Sequence, residues 1–426
     1  MLLKEILELY NIDKKVYDFV NENENRIADI IDKHRSIRFY NQNKVNNAMQ
    51  YHRLSYTDFA WSTGYGYGDM GREKTESIYA TVFKAEDALV RPLIVSGTHA
   101  IYLCLSGLLR HGDELLYISG KPYDTLLKVI GETTDDANTL KDMGISFDYA
   151  PLDKNDKMQI DIIMEKIKHN TKLIAIQRST GYGDRRAITI KEMEEVISAI
   201  KLKFDIPIFI DNCYGEFTEE REPLEIGADI IAGSLIKNPG AGIAASGGYI
   251  AGKKELVKSV TNRLTAPGLS KDCGLTFGMT RSMLQGLYFA PQIVHEAYKV
   301  GLLVGATFSS LGFAIKPSID ELRSDIVQAI TFNNPELVKT FCKTVQKASV
   351  VDSHVIPEAW DMPGYTDKVI MATGGFIEGS SIELSADGPM RPPYQVFYQG
   401  GMNYDHGKVM VMQILQAMIK EHNIQI

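Results

Sequence analysis

Two rhythms of apolar spacing divide this chain. In residues 1–55 apolar side chains recur at steps of three and four, as in LLKEILELY and VYDFVNENENRIADIID, which predicts amphipathic helices. From about 75 to 265 short apolar runs alternate with amphipathic stretches. ALVRPLIVSG leads into THAIYLCLSGLLRHGDE, LLYISG into YDTLLKVIG, and KLIAIQRS into KEMEEVISAIKLKF, before PIFIDNCYG, ADIIAGS and GGYIAG. Strands spaced by helices in this way predict an α/β fold whose mainly parallel sheet is covered on both faces.

From about 280 a long helical run, RSMLQGLYFAPQIVHEAYKVGLLVGATFSSLG, leads to a smaller α+β unit. That unit holds short strands such as KVIMATGGF and closes on the helical HGKVMVMQILQAMIKEH. The expected organisation is an N-terminal helical segment at 1–60, a large domain at 61–290 and a C-terminal α+β domain at 291–426. The polar stretches NENENR and FDYAPLDKNDKMQIDI read as solvated connections, and STGYGYGDMGRE at 62–73 as a glycine- and tyrosine-rich loop.

Composition narrows the function classes. Of 426 residues 44% are hydrophobic and 23% charged, which are ordinary globular proportions. A net charge of −8 gives no general attraction to nucleic acid or anionic lipid. The most apolar stretch, LIVSGTHAIYLCLSGLL, contains His99, two serines and two glycines, so it is too short and too polar to span a membrane. The N-terminus lacks the pattern of a signal peptide, and a cytoplasmic protein is expected. Cys104, Cys213, Cys273 and Cys342 lie far apart without a CxxC pair and read as reduced thiols. His34, His52, His99, His111 and the other histidines show no paired ligand spacing, so no metal site is expected. GYGYGD lacks the Lys-Ser/Thr ending of a phosphate-binding P-loop.

One charge stands out against its surroundings. Between Asp229 and Lys253 the only formal charge is Lys237, among Leu, Ile, Ala and Gly. Such an amine is unfavourable unless something neutralises or uses it. Three other features fall where apolar strands end, which is where open α/β sheets bind ligands. Ser96-Gly97-Thr98 opens a helix and suits an anion, though Ser and Thr are also ordinary helix caps. Asp211 ends the buried IPIFID run, as a ring-nitrogen partner or as a structural carboxylate. Tyr123 in GKPYDT offers an aromatic face for a flat ring, or a packing residue. Ser234 lies three residues before Lys237. Taken alone, a strand-end lysine can also snorkel to solvent. Together, a nucleophilic amine, an acid, an anion cradle and a stacking ring meet the needs of pyridoxal phosphate. Gln177 and Arg178, ending KLIAIQRS, lie near enough in the pattern to face the same pocket.

The order SGTHAI, GKPYDT, DNCYGEF, AGSLIK resembles fold-type I pyridoxal phosphate enzymes of the cystathionine/methionine lyase group. STGYGYGD, GSLIKNPG, LTAPG, QGLYFAP and ELSADGPMRPPY further resemble the bacterial methionine gamma-lyase-like family labelled aluminium resistance proteins, over about 55–408. The resemblance implies a large domain with a mainly parallel seven-stranded sheet and a smaller C-terminal α+β domain. It implies Lys237 as the Schiff-base lysine, Asp211 as the ring-nitrogen partner, Tyr123 as the stacking ring, and Gly97, Thr98 and Ser234 around the phosphate. Tyr65, Tyr67 and Arg72 occupy the region that reaches the neighbouring subunit's phosphate, so a homodimer or homotetramer with shared sites is implied. Arg391 is the candidate for the substrate carboxylate, or a surface arginine in a proline-rich loop. Ile236 stands where better-known lyases carry a hydroxyl. The implied activity is β- or γ-elimination of a carbon–sulfur bond in an amino acid, with Lys237, Tyr123 or Tyr67 moving protons. Aldolase- or aminotransferase-type chemistry, and a non-catalytic metal-stress protein on the same scaffold, stay open.

Overall fold

The computed structural model describes residues 2–426. Seven strands form the larger sheet: β1 (Asp87–Arg91), β2 (Glu114–Tyr117), β3 (Ser146–Tyr149), β4 (Thr171–Gln177), β5 (Ile208–Asp211), β6 (Ile230–Ser234) and β7 (Gly248–Gly252). Their order is β1-β7-β6-β5-β4-β2-β3. The ladder from β6 through β5, β4 and β2 to β3 is parallel, while β7 runs antiparallel to β6 and β1.

The sequence explains this arrangement. Every residue of β5, β6 and β7 is buried, so their near-continuous apolar runs suit strands covered on both faces. A parallel neighbour needs a crossover of a dozen or more residues, usually a helix. Residues 235–247 hold only the short 3₁₀ turn Asn238–Gly240, so the chain returns antiparallel as β7. The helix Gly97–Leu108 packs on β6 and β7 and helps close a core that includes Leu89, Leu103, Phe209 and Ile250.

Two polar stretches behave differently from the solvated connections expected of them. Residues of FDY form β3, the edge strand, paired in parallel with β2 from Glu114↔Ser146 to Tyr117↔Tyr149. No β3 residue is fully buried, so an edge strand here needs no apolar run. NENENR lies inside the long helix Lys14–Tyr51, where Asn23 is buried and its Nδ2 donates to the Phe19 carbonyl at 2.9 Å. A polar side chain thus takes one inward position of the helical stripe.

The chain divides into two compact units, Phe39–Pro291 and a second made of residues up to Arg38 with Gln292–Ile426. The second unit carries an antiparallel sheet of β8 (Ala314–Lys316), β9 (Gln328–Thr331), β10 (Val369–Thr373), β11 (Ser385–Pro389) and β12 (Gln395–Gln399), in the order β10-β11-β12-β9-β8. The helix Pro335–Ala348 packs on it and against the helix Tyr404–His422. The N-terminal residues belong here because Val16, Val20 and Ile27 are buried in one core with Phe308, Phe341 and Leu415. In this unit the buried His34 and His295 meet Nδ1 to Nδ1 at 2.8 Å, and Tyr298 stacks on His34 at 3.7 Å between ring centroids. Burial, with His34, Lys299, Arg38 and Arg35 adding to it, pushes His295 down to about 3. Among the described residues no helix is long and apolar enough to cross a membrane.

Candidate active site

Parallel neighbours β4 and β5 finish level with one another, and β6 runs two residues further. Their register sets Gln177 opposite Asp211 and Asp211 opposite Ala232, with Ser234 two residues further along β6. Lys237 follows immediately, at the start of the Asn238–Gly240 turn. The helix Gly97–Leu108 begins at the same place. Ser96 caps it, its Oγ accepting from the His99 N–H at 3.0 Å. The first-turn N–H groups of a helix have no intrahelical partner and favour an anion.

Gly97 is the closest point of this convergence. A Cβ there would lie 3.2 Å from Cys213 Sγ, 3.5 Å from Ser234 Cβ and 3.7 Å from Lys237 Nζ. Glycine therefore keeps open the space between helix start, strand end and amine. Ser234 is fully buried, yet its Oγ has no hydrogen-bond partner. A buried hydroxyl without a partner is unfavourable, and it marks a place where an acceptor or donor of a bound group belongs.

Tyr123 is held from two sides. Its backbone N–H donates to Gln177 Oε1 at 3.1 Å, and its phenol lies 3.3 Å from Thr98 Oγ1. Burial, reinforced by the charge of Asp211, pushes this phenol far up, so it keeps its proton at any working pH. Burial also pushes the Asp211 carboxyl up, against the opposing pull of Lys237 and the Cys213 N–H, which donates to Asp211 at 3.1 Å. Burial disfavours the charge on Lys237, but Cys213, Tyr214, Asp211 and Tyr123 around it hold its amine well above the usual lysine range.

Lys237, Asp211, Tyr123, Thr98, Gly97 and Ser234 thus share one neighbourhood in the large unit. The remaining predicted residues stand elsewhere in the single chain. Tyr65 and Tyr67 are 70% and 78% exposed. Arg72 is buried and donates to the carbonyls of Gly64, of Gly66 at 3.1 Å and of Asp272 at 2.8 Å, which ties down the tyrosine loop. Arg391 belongs to the other unit, between β11 and β12, and pairs with Asp367 at 2.8 Å. Arg178 is fully buried and bonds Asn212 Oδ1 at 2.8 Å, with Glu219 at 3.3 Å and Glu222 at 3.6 Å.

Sequence reasoning passed over Tyr214. Its ring centroid lies 4.0 Å from Lys237 Nζ, and its backbone has φ +69°, a left-handed conformation that turns the chain under the lysine. The available signal was position: Tyr214 comes three residues after a strand-end acid, where turn side chains face the pocket.

The fold is that of the fold-type I pyridoxal phosphate proteins. It is seen in the pyridoxal-5′-phosphate dependent protein YhfS from Escherichia coli, 16% identical, with a TM-score of 0.59 over 92% of this chain and 97% of that one. Within that class the chain belongs to the methionine gamma-lyase family, whose model matches residues 16–419. It is similar to a Clostridium acetobutylicum structure provisionally named a cystathionine beta-lyase involved in aluminium resistance. That protein is 44% identical, with a TM-score of 0.95 over 98% of this chain and 99% of that one. A carbon-sulfur lyase involved in aluminium resistance from Clostridium novyi NT is 45% identical, with a TM-score of 0.92 over 97% and 98%. The uncharacterised protein YnbB of Bacillus subtilis (strain 168) is 44% identical over 93% of this chain and 96% of its own length.

Pyridoxal phosphate is the cofactor of this family. The residues present fit it: the unpartnered Ser234 hydroxyl and the open Gly97 helix start suit a phosphate, and Lys237, whose ligand-free amine is held protonated, would condense with an aldehyde once it gives up that proton.

Proposed function

We propose that the protein is a carbon–sulfur lyase that cleaves a sulfur-containing amino acid by β- or γ-elimination. Bound pyridoxal phosphate supplies a carbonyl for the substrate amine and a ring that accepts electrons. Lys237 would hold the cofactor by its aldehyde and, once released by the substrate amine, would take the α-proton at Nζ. Asp211 would partner the ring nitrogen, Tyr123 would supply the stacking ring, and the Gly97 N–H, Thr98 Oγ1 and Ser234 Oγ would hold the phosphate. The carbon–sulfur bond breaks with its electron pair on sulfur, and the Tyr123 phenol, kept protonated by burial, supplies the proton that makes the thiol. Elimination from the γ-carbon requires a second proton to leave the β-carbon first, a task for Lys237, with Tyr123 or Tyr67 assisting the departing group. Water then releases ammonia and a 2-oxoacid. Arg391 is assigned to the substrate carboxylate. Tyr65, Tyr67 and Arg72 are assigned to the phosphate of a neighbouring subunit in a homodimer or homotetramer.

The observation that carries this reading is the meeting of helix start, strand end and amine, with Lys237 Nζ 3.7 Å and Ser234 Cβ 3.5 Å from the vacant Cβ position of Gly97. The test incubates the cofactor-loaded protein with cystathionine, methionine, cysteine and threonine. Thiol, ammonia and oxoacid released together from a sulfur substrate support the lyase. Aldehyde and glycine from threonine, or oxoacid without ammonia, points to aldolase or aminotransferase chemistry instead. A protein that stays colourless with added cofactor and carries no pyridoxyl mass on Lys237 after borohydride reduction overturns the reading.

A further inference from the structure

A second, fully buried polar network lies behind the lysine. Asn238, the residue after Lys237, is completely buried, and its Nδ2 donates to the carbonyls of Tyr214 at 2.9 Å and Glu216 at 3.1 Å. The turn that carries Lys237 is therefore tied to the segment that carries Tyr214, whose ring touches the amine. The shape of that segment is fixed in turn by the Glu216 side chain, whose Oε1 accepts from the Tyr249 hydroxyl of β7 at 2.9 Å. Asn212, the residue after Asp211, reaches the same hydroxyl at 3.3 Å and Glu222 Oε2 at 3.1 Å.

The sheet is built to admit this network. Gly233 sits opposite Tyr249 in the β6–β7 register, and a Cβ on it would lie 2.4 Å from the Tyr249 ring and 2.5 Å from Glu216 Oε1. Any side chain at 233, one residue before Ser234, would expel the pair. Glu216 is fully buried and its Oε2 has no partner, an arrangement that does not serve stability. Burial, with the charge of Glu222 adding to it and its hydrogen bonds and Lys237 opposing, pushes its carboxyl up to about 8.

We propose that Glu216 and Asn238 are positioning residues that set the place and reactivity of the Lys237 amine, Glu216 through the 214–216 segment and Asn238 through the turn itself. The proposal deepens the function proposed above and rests on it for the role of Lys237 in catalysis, but it makes a claim about the ligand-free chain too. Neither residue touches the amine, so each acts through its neighbours.

The experiment measures the pH dependence of acetic anhydride labelling at Lys237 by mass spectrometry. It compares ligand-free wild type with Glu216→Ala, Glu216→Gln and Asn238→Ala, with surface lysines as internal references. Glu216→Ala and Asn238→Ala are expected to change the Lys237 labelling rate at least fivefold relative to the references. Glu216→Gln, which can still accept from Tyr249, is expected to stay within twofold of wild type. The same variants loaded with pyridoxal phosphate should shift the pH at which the long-wavelength absorbance titrates, in the same rank order. Unchanged labelling in both alanine variants overturns the inference, as does an equal change in Glu216→Gln, since a general loosening of the fold would not spare the conservative variant. Should Glu216→Ala not fold, Asn238→Ala and Tyr249→Phe carry the comparison with the same expected and overturning results. Wild type that takes up no cofactor counts against the proposed function alone, because the labelling result stands without it.

Discussion

The backbone N–H of Tyr123 donates to Gln177 Oε1 at 3.1 Å, so a residue at the end of β4 fixes the start of the helix on which the aromatic ring is mounted. Gln177 in turn donates from Nε2 to the Ser179 carbonyl at 2.9 Å, which leaves its amide only one orientation. The backbone that carries the ring is thus placed by a neighbouring strand, and the phenol is met by Thr98 Oγ1.

Replacing Gln177 with Leu removes the acceptor while keeping the bulk. A hydrogen bond of this kind contributes about 1 kcal/mol net, or about fivefold in an equilibrium constant. Gln177→Leu is expected to weaken pyridoxal phosphate binding about fivefold in a spectroscopic titration and, because it leaves the Tyr123 N–H without its acceptor, to lower the melting temperature of the ligand-free protein as well. Unaltered affinity would show that Tyr123 does not depend on this bond.

Ser234→Ala should act in opposite directions on the two states. The hydroxyl has no partner in the ligand-free chain, so its loss removes an unfavourable buried group and raises stability by up to about 1 kcal/mol. The same loss takes away a phosphate ligand and is expected to weaken cofactor binding about tenfold. Differential scanning fluorimetry with and without pyridoxal phosphate checks both signs at once.

Arg72→Ala frees three carbonyls, of Gly64, Gly66 and Asp272, that now share one guanidinium. The loop bearing Tyr65 and Tyr67 should loosen, and if a partner subunit's cofactor uses that loop, pyridoxal phosphate dissociates about tenfold faster. Arg72→Lys recovers only part of this, because an ammonium lacks the planar fork. An unchanged off-rate on stopped dilution would remove the case for a shared site.

His295 supplies a pH prediction. Its folded value of about 3 lies below the ordinary histidine value of 6.5, so the unfolded chain binds the extra proton between them. Stability is then complete above pH 6.5 and falls as pH drops towards 3. Wild type should lose about 2–3 kcal/mol between pH 6.5 and 4 by urea unfolding, a loss that His295→Asn does not share.

Much of this arrangement could be read from the residues. The charge-free surroundings of Lys237 and the acid ending IFID follow directly from burial of a central parallel strand. What stayed hidden depended on three-dimensional company. Position alone hints at Tyr214, three residues after the strand-end acid, but that its ring meets the amine depends on a left-handed turn that the sequence does not mark. Arg72 resembles a surface charge in sequence, yet its guanidinium is enclosed by carbonyls from residues 64, 66 and 272. The helix Lys14–Tyr51 reads as one element, and the sequence does not mark that its first part packs into the core with Phe341.

Asp211 and the strand leading to Lys237 are adjacent rungs of a single ladder, with Asp211 facing Ala232 across β5 and β6. Opening of that ladder would free Asp211 and the base of the Lys237 turn together. Deuterium uptake at the amides of 209–211 and 230–232 should accordingly proceed as one slow cooperative event, and the protein would lose its capacity to hold a cofactor all at once rather than by degrees.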